Sequence, residues 1–331
     1  MMAPAMKAIR VHQYGDPDVL VLEDVPTPEP GPDQALVRVE AAGINFMDIR
    51  QRAGSYPAPL PFTPGVEAAG IVAALGPGAD TGRVRLGDRV AIPYASSPSA
   101  YAEYVVAPTA ALLPLPDGLD ARQAAAALLQ GGTAHALAHG AYPVRASDTV
   151  LVHSAAGGVG LLLTQMAVRA GARVIGTVSR AEKVAAARDA GATEVIVRTQ
   201  TDFASEARRL TGGRGVDAVY DAVGKETVVA GLDALRPRGT MVVYGGASGP
   251  APAIEPATLL AKGSLFLTQV AALDYVATPA EAARRLGEVL GWVRAGEVRL
   301  HIERAFPLAE AATAHRLLES GATVGKLLLI P

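Results

Sequence analysis

The 331-residue sequence has no cysteine, which excludes disulfides, thiolate zinc sites and cysteine nucleophiles together. It has no run near the roughly 20 uncharged apolar residues that a membrane-spanning helix needs. The first residues, 1–7, lack the charged and long apolar segments of an export signal. A net charge of −2 provides no basic surface for nucleic acid or anionic lipid. We therefore expect a cytoplasmic protein that acts on a small molecule, with no membrane and no nucleic-acid partner.

Length and patterning divide the chain into two parts. A chain of this length exceeds the usual size of one hydrophobic core, so two domains are expected. Up to about residue 115, short strand-like runs separated by proline- and glycine-rich turns predict a compact β-rich domain. The predicted strands are 6–12, 19–25, 35–42, 66–75, 89–93 and 100–107, and an alanine-rich helix follows over 120–138.

From Thr149 onward, strands and helices alternate, which predicts a doubly wound parallel sheet of six strands. The predicted strands are 149–153, 173–178, 194–197, 218–220, 240–244 and 265–270. The tail is predicted as helix 279–295, strand 299–306, helix 308–319 and strand 325–330, and it completes the first domain. We place the β-rich domain at residues 1–124 and 272–331 and the sheet domain at 125–271. The cleft between them is the expected ligand site.

The segment 150–160 reads as a buried strand, a tight glycine turn and the start of a helix. Such a turn directs backbone N–H groups and the positive end of a helix dipole at one point, which suits a pyrophosphate. A glycine turn that only lets a strand and a helix pack closely is the structural alternative.

The strand after this turn ends without a carboxylate. An NAD site usually carries an Asp or Glu there, which accepts a hydrogen bond from the ribose 2′-OH. Here the strand ends in the segment 177–180, with Lys183 one helical turn further. A 2′-phosphate would be bound by the hydroxyl of Ser179 and the cations of Arg180 and Lys183, which favours NADPH over NADH. A solvated helix face is the alternative role of the two cations.

Further motifs are specific when they are taken together in their order and spacing. They are Ala42–Asp48, Pro64–Gly70, Gly87–Val90, Leu129–Ala134, Ala155–Gly160, Tyr220–Gly224 and Gly325–Lys326. Through them the chain resembles, essentially end to end, the zinc-free quinone oxidoreductase (zeta-crystallin-like) branch of the medium-chain dehydrogenase/reductase family. The resemblance implies an α/β fold, with a GroES-like β-rich catalytic domain beside a doubly wound, six-stranded parallel Rossmann sheet.

The departures from the zinc-dependent members of this family are informative. Those members have a Cys where Asn45 stands, and a His where Val66 stands in the segment 65–67. Neither residue is a good zinc ligand, since zinc prefers thiolate, imidazole or carboxylate. We expect no metal, which disfavours alcohol oxidation because that reaction uses the metal to acidify the substrate hydroxyl.

Without a metal, the acceptor must already be electrophilic, as quinones and α,β-unsaturated carbonyls are. The resemblance implies that Asn45 and Tyr56 face the substrate beside the nicotinamide, Asn45 as an N–H donor and Tyr56 as a donor that can also transfer a proton. A phenol with a pKa of about 10 is a slow acid, and packing at a proline turn is the alternative role of Tyr56. Arg50 stands where related reductases often have a second tyrosine. If Arg50 points inward, it favours an anionic or more polar acceptor.

The resemblance also implies a set of cofactor contacts. They come from Gln130, Thr133, Gly157, Gly158, Val159, Gly160, Ser179, Arg180, Lys183, Arg198, Tyr244, Gly245, Ser248, Phe266, Leu267, Thr268 and Lys326. The leading interpretation is an NADPH-dependent quinone oxidoreductase that transfers hydride in the cleft without a metal. The alternatives are a 2-alkenal or enone double-bond reductase and a non-enzymatic, crystallin-like NADPH-binding protein.

The last strand of the predicted sheet suggests an oligomer. The segment 264–270 is an apolar strand at the edge of an open sheet, and exposed edges of this kind pair or aggregate. In the family that the chain resembles, this strand pairs with its two-fold mate. We therefore expect a homodimer.

Overall fold

The structure, a computed structural model, describes residues 5–79, 84–96 and 99–331. Residues 1–4, part of the segment searched for an export signal, lie outside the described residues. The chain forms two compact units, one of Met1–Leu129 and Val276–Pro331 and the other of Gln130–Tyr275. The tail of the chain thus belongs to the same unit as its beginning.

The strands are β1 (Ala5–Arg10), β2 (Val21–Pro26), β3 (Gln34–Ile44), β4 (Ala68–Leu75), β5 (Arg89–Ile92), β6 (Tyr104–Pro108), β7 (Leu113–Pro114), β8 (Thr149–Val152), β9 (Arg173–Val178), β10 (Glu194–Val197), β11 (Val216–Asp221), β12 (Leu235–Val243), β13 (Phe266–Gln269), β14 (Ile302–Pro307) and β15 (Lys326–Ile330). The helices are α1 (Phe46–Arg52), α2 (Ala121–Ala136), α3 (Gly158–Arg169), α4 (Val184–Asp189), α5 (Phe203–Leu210), α6 (Val228–Ala234), α7 (Pro256–Ala261), α8 (Pro279–Arg294) and α9 (Ala311–Glu319).

The first unit is built around a seven-stranded sheet with the order β14-β15-β3-β4-β5-β7, in which β6 also pairs with β3. Buried apolar side chains from these strands, among them Val72, Val90 and Phe306, form its core. The C-terminal strand β15 runs antiparallel to β3 with Leu327 opposite Ile44. This register brings Lys326 beside the residue that follows β3, which is Asn45.

The second unit holds a six-stranded parallel sheet with the order β10-β9-β8-β11-β12-β13. This is the doubly wound dinucleotide-binding order, in which the sequence reverses direction beside the first strand, here β8. Leu151, Ile175 and Val219 lie in its core. The carboxyl ends of all six strands meet at one edge, and the loops at that edge carry the candidate ligand residues.

The predicted α/β fold is confirmed, and the element bounds differ in detail. Strands β9 and β10 have the predicted limits, whereas β12 begins at Leu235, five residues before the predicted start. The short helix α1 had no counterpart among the predicted elements. Among the described residues, no helix is long and apolar enough to cross a bilayer.

Candidate active site

The glycine turn in the second unit is built for a close backbone approach. Gly157 N–H donates to the Ser154 carbonyl at 2.8 Å, and α3 begins at the next residue. The first N–H groups of α3 have no carbonyl partner within the helix, and the helix dipole adds positive potential at the same place. A Cβ on Gly160 would lie 2.2 Å from the Ser154 oxygen, so this position admits only glycine without movement of the backbone.

Two of the predicted cofactor residues lie on α2 beside this turn. A Cβ on Gly158 would meet the amide end of Gln130 at 2.0 Å, so the Gln130 side chain lies directly against the start of α3. Thr133 follows one helical turn later and is buried. The structure therefore brings Gln130 together with the glycine turn.

The predicted 2′-phosphate residues gather at the carboxyl ends of β9 and β10. Arg198 N–H donates to the Val178 carbonyl at 2.9 Å, and the Thr199 hydroxyl donates to the Ser179 carbonyl at 3.0 Å. Arg180 is exposed, and its side chain has no hydrogen bond or ion pair within the described part of the chain. Hydroxyl and guanidinium groups thus lie at a strand end that carries no carboxylate.

A buried polar row lies under the same edge. His153 Nδ1 is 2.8 Å from the Thr177 hydroxyl, and His153 Nε2 is 3.8 Å from Asp221 Oδ2, with both side chains fully buried. Asp221 Oδ1 accepts the N–H groups of Val223 and Gly224 at 2.7 and 2.8 Å. This row links the ends of β9, β8 and β11 and fixes the loop that follows β11.

The residues predicted after β12 contribute mainly backbone at this edge. A Cβ on Gly245 would lie 2.6 Å from the Ala222 carbonyl oxygen, so the loops after β11 and β12 touch there. The Tyr244 hydroxyl is buried, and it has no hydrogen-bond partner among the described residues. The Ser248 hydroxyl donates to the Val223 carbonyl at 2.7 Å and accepts the Glu226 N–H at 3.1 Å. The Ser248 hydroxyl is therefore engaged within the protein, whereas the buried Tyr244 hydroxyl is not.

The three predicted residues of β13 lie on the edge strand of the sheet. Phe266 and Leu267 are exposed and Thr268 is half-buried. Their backbone pairs with β12 on one side, with Thr268 opposite Val242.

In the first unit, Asn45 is held in a buried network. Its amide nitrogen donates to Glu67 Oε1 at 2.7 Å and to the Gly43 carbonyl at 3.4 Å, and its amide oxygen accepts from Lys326 Nζ at 2.7 Å. Lys326 Nζ also lies 2.6 Å from Glu67 Oε1, in an ion pair with both side chains buried. The second Glu67 oxygen accepts the Leu129 N–H at 2.5 Å.

Two of the predicted site residues belong to this network. Both N–H groups of the Asn45 amide have acceptors inside the protein, so the amide as placed has none left for a substrate carbonyl. Lys326 is predicted to contact the cofactor, and its ammonium lies buried against Glu67 and Asn45. Each of the two residues therefore stabilises the other within the first unit.

The residue that follows in the network is Asp48, at the third position of α1. Its carboxylate accepts the N–H groups of Asn45 at 2.8 Å and Gly65 at 3.2 Å, and the Tyr101 hydroxyl at 3.1 Å. Burial raises the pKa of Asp48 to about 7, against the lowering effect of the Asn45 hydrogen bond and the Lys326 charge. The Tyr101 oxygen is also 3.0 Å from His315 Nε2, whose pKa burial lowers to about 3.

The other predicted catalytic residues lie on the exposed side of α1. Phe46 and Arg50 are exposed and, four residues apart, share one helix face. Tyr56 N–H donates to the Arg50 carbonyl at 3.1 Å, and half of the Tyr56 side chain is exposed. The Arg50 guanidinium has no hydrogen bond or ion pair within the ranges that the structure describes. The structure thus brings Arg50 and Tyr56 together, with Phe46 beside them.

Sequence reasoning missed Phe46, Asp48, Tyr101 and His315 as parts of this region. Glu67 was read only as part of a motif that has lost a zinc ligand, and its partner Lys326 lies 259 residues further along the chain. The sequence signal that could have indicated this region is the segment 43–48, in which Gly43, Asn45 and Asp48 lie around the start of α1. A Cβ on Gly43 would lie 2.2 Å from Glu67 Oε1, so this glycine makes room for the carboxylate.

The second unit fits a dinucleotide carrying a 2′-phosphate. The glycine turn directs the first N–H groups of α3, which have no carbonyl partner within the helix, to the end of β8. The end of β9 offers Ser179 and the unpaired Arg180 and lacks the carboxylate that would repel a phosphate. These observations agree with the prediction of NADPH.

Comparisons with known proteins agree with this architecture. Residues 31–117 match the family described as alcohol dehydrogenase GroES-like domain, and residues 190–329 match the family described as zinc-binding dehydrogenase. The quinone oxidoreductase of Pseudomonas aeruginosa is 42% identical over 327 residues, which cover 98% of this chain and 99% of that protein. The 2-haloacrylate reductase of a Burkholderia species is 39% identical over 329 residues, covering 97% and 98%. The solved structure of Escherichia coli quinone oxidoreductase with NADPH gives a TM-score of 0.91 at 36% identity and covers 98% of this chain and 100% of that one.

A GroES-like unit combined with a Rossmann sheet defines the class of two-unit dehydrogenases and reductases. Within it, the chain belongs to the medium-chain dehydrogenase/reductase family, in the zinc-free quinone oxidoreductase branch. The resemblance inferred from the motifs is therefore confirmed. The description of residues 190–329 names zinc, and Asn45 and Val66 stand where the resemblance places zinc ligands in the zinc-dependent members.

Proposed function

We propose that the chain is an NADPH-dependent quinone oxidoreductase. The observation that carries the proposal is the carboxyl edge of the second sheet, where a glycine turn adjoins a strand end with a hydroxyl, cations and no carboxylate. NADPH supplies a hydride when it is bound. The relatives named quinone oxidoreductases and the one solved with NADPH support the same activity.

The residues that hold the cofactor fall into two groups by the chemistry they offer. The N–H groups at the start of α3 bind the pyrophosphate. Ser179, Arg180, Lys183 and Arg198 bind the 2′-phosphate by charge-assisted hydrogen bonds, each of about 1.5–3 kcal/mol. Gln130 and Gly158 fix the start of α3 from the side of α2.

The exposed face of α1 is the proposed acceptor surface. The Phe46 ring offers apolar contact for a planar quinone, and the Tyr56 hydroxyl donates a hydrogen bond to its carbonyl oxygen. Asn45 is a positioning residue, because its hydrogen bonds with Glu67 and Lys326 fix the start of α1. Arg50 lies beside Tyr56 and favours acceptors that carry negative charge.

A second candidate function is favoured by the unpaired Arg50. The Burkholderia relative is named for the reduction of 2-haloacrylate, which is an unsaturated carboxylate. Reduction of a carbon–carbon double bond needs a proton delivered to carbon, so it depends on Tyr56 more than quinone reduction does. An enone or enal double-bond reductase is therefore the alternative that the assay must separate.

The proposal is tested by an assay of NADPH oxidation. The absorbance of NADPH is monitored with a panel of quinones and with a panel of enals as acceptors. We expect turnover with quinones that exceeds turnover with enals. The double variant Arg180→Ala/Lys183→Ala should lose at least 10-fold in kcat/KM for NADPH, because each lost charge-assisted hydrogen bond corresponds to about 10- to 150-fold.

Three results would contradict the proposal. The first is quinone turnover by the unaltered protein that is no higher than turnover by the double variant. Faster oxidation by enals, lost in Tyr56→Phe, would favour the double-bond reductase instead. NADPH binding without turnover of either panel would point to a non-enzymatic role.

Two further features stay predictions. A homodimer through the segment 264–270 is supported by the exposed Phe266 and Leu267 on the edge strand β13. A cytoplasmic location rests on the sequence and is tested by fractionation of cells.

A further inference from the structure

The carboxyl edge of the second sheet is crossed by an ion pair that the cofactor assignment leaves unexplained. Arg198 Nη1 donates to Glu226 Oε2 at 2.8 Å. Arg198 directly follows β10, and Glu226 lies in the loop between β11 and α6. Strands β9 and β8 lie between β10 and β11 in the sheet. We call the Arg198–Glu226 ion pair the strap, because it spans the ends of both strands.

The strap runs over the part of the edge where the adenosine half of a dinucleotide binds. Three strand spacings of about 4.8 Å separate β10 from β11, so the two side chains bridge roughly 14 Å together with their loops. The charge of Arg198 reaches the end of β8. Burial is the main cause of the His153 pKa of about 4, with Asp221 acting against it and Arg198 lowering it further.

The two ends of the strap are anchored differently. On one side, the backbone of Arg198 is fixed to Val178 at 2.9 Å, beside the predicted 2′-phosphate residues. On the other side, the Glu226 N–H donates to the Ser248 hydroxyl at 3.1 Å. The Arg198 side chain is 23% exposed and that of Glu226 is 56% exposed. An ion pair this open to water is weak, so a phosphate can compete for the guanidinium.

We propose that Glu226 is a specificity-determining residue: it holds Arg198 in the strap, and a 2′-phosphate must take Arg198 from it. This inference rests on the proposed NADPH function and deepens it. The Glu226 carboxylate both occupies Arg198 and repels a phosphate that approaches, so it reduces the preference for NADPH over NADH. Glu226 thus has this effect although the end of β9 itself has no acidic residue.

The experiment measures binding rather than turnover. NADPH is titrated by its fluorescence, and NADP⁺ and NAD⁺ are titrated by displacement of NADPH, in the full-length protein and its variants. In Glu226→Gln we expect the Kd for NADP⁺ to fall about 2- to 5-fold, the range for release of one exposed ion pair. The Kd for NAD⁺ should stay unchanged, so the NAD⁺/NADP⁺ ratio rises by the same factor.

Two further variants distinguish the effect of the strap on cofactor binding from the general effect of removing one charge. Glu206→Gln is the matched control, because Glu206 forms an ion pair of similar length with Arg209 on α5, at 2.6 Å. It removes the same charge and should leave the ratio unchanged. Arg198→Met should weaken NADP⁺ binding, and Glu226→Gln added to it should have no further effect on the ratio.

The outcomes of these titrations distinguish failure of the strap from failure of the proposed function. An unchanged ratio in Glu226→Gln overturns the proposal, because Glu226 then does not compete with the phosphate for Arg198. A lower ratio overturns it as well, because Glu226 then orients Arg198 for the phosphate. A rise that persists in the Arg198→Met background overturns it as well. If the unaltered protein does not bind NADPH, both the proposed function and the strap fail. If it binds NADPH and reduces quinones while the ratio does not move, only the strap fails.

Discussion

The glycines in the first turn of α3 differ in how strictly they are required, although their sequence motif treats them alike. A Cβ on Gly160 would lie 2.2 Å from the Ser154 carbonyl oxygen and 2.8 Å from the Ala155 Cα, both of which are backbone. A Cβ on Gly158 would instead meet the amide end of the Gln130 side chain, which can rotate away. The turn therefore tolerates alanine at one position and not at the other.

We predict that Gly160→Ala opens the turn, weakens NADPH binding at least 10-fold and destabilises the protein by about 1–3 kcal/mol, the usual cost of overpacking. Gly158→Ala is the matched control and should weaken binding less than Gly160→Ala. Fluorescence titration of NADPH and urea unfolding of both variants check this. Equal losses in the two variants would show that the backbone contact at Gly160 is not the limiting one.

The residues around Asn45 show how far single positions can be assigned from sequence. The substitution of zinc ligands by Asn45 and Val66 is visible in the sequence, because it depends only on residue type. The partners of Asn45 are not visible there, because Lys326 meets it only through the register of β15 against β3. A role as hydrogen-bond donor depends on which acceptors surround the amide, and folding decides that.

Among the elements, helix α1 has the largest effect on the first unit's site. It has a single buried acid, Asp48, whose carboxylate accepts the Asn45 N–H and so completes the reciprocal half of a capping box. At its other end, the buried Arg52 pairs with Glu319 of α9 at 2.5 Å. A helix of seven residues is too short to be stable alone. The polar contacts of Asp48 and Arg52 at its two ends therefore stabilise it.

The stability of this helix is expected to depend on pH through Asp48. Its pKa lies at about 7 in the folded chain against an ordinary value of 3.8. Between about pH 4 and pH 7, the folded chain therefore holds a proton that the unfolded chain has released. The contribution of Asp48 to the free energy of unfolding falls as the pH rises through this window, by at most about 1.4 kcal/mol per pH unit.

We predict that Asp48→Asn removes this dependence, because an amide does not titrate while its oxygen can still accept the Asn45 N–H. Urea unfolding at pH 5 and pH 7.5 checks the prediction. The unaltered protein should lose more stability than the variant between the two pH values. If both lose the same amount, Asp48 is ionised throughout the range and the prediction fails.

Elements were predicted from sequence where their pattern is local. The limits of β9 and β10 are those predicted, because each is a short apolar run bounded by helix signals on both sides. Helix α1 was missed because it has only two turns and its apolar residues follow directly on β3 without a glycine or proline between them. The early start of β12 includes Pro237, a residue that argues against a strand interior in a sequence-based prediction.

At the scale of the whole molecule, the order of strands leaves β13 as an edge of the parallel sheet. Phe266 and Leu267 on that strand are 62% and 38% exposed. An apolar strand edge with open backbone groups is unfavourable in water, and native proteins cover such edges or pair them. Pairing with β13 of a second copy satisfies the open backbone groups and covers the apolar side chains, and a two-fold axis between the copies allows it.

We predict that the protein has about twice the chain mass of 33.9 kDa in light scattering at micromolar concentration. Phe266→Lys should shift it toward the monomer, because two copies of the strand then bring like charges together and lose an apolar contact. Leu260→Lys is the control, since Leu260 is equally apolar and 71% exposed but lies on α7. A monomer in the unaltered protein, or the same loss of dimer in both variants, would mean that β13 is not the interface. In that case the exposed Phe266 and Leu267 are free to make the cofactor contacts that the family resemblance assigns to them.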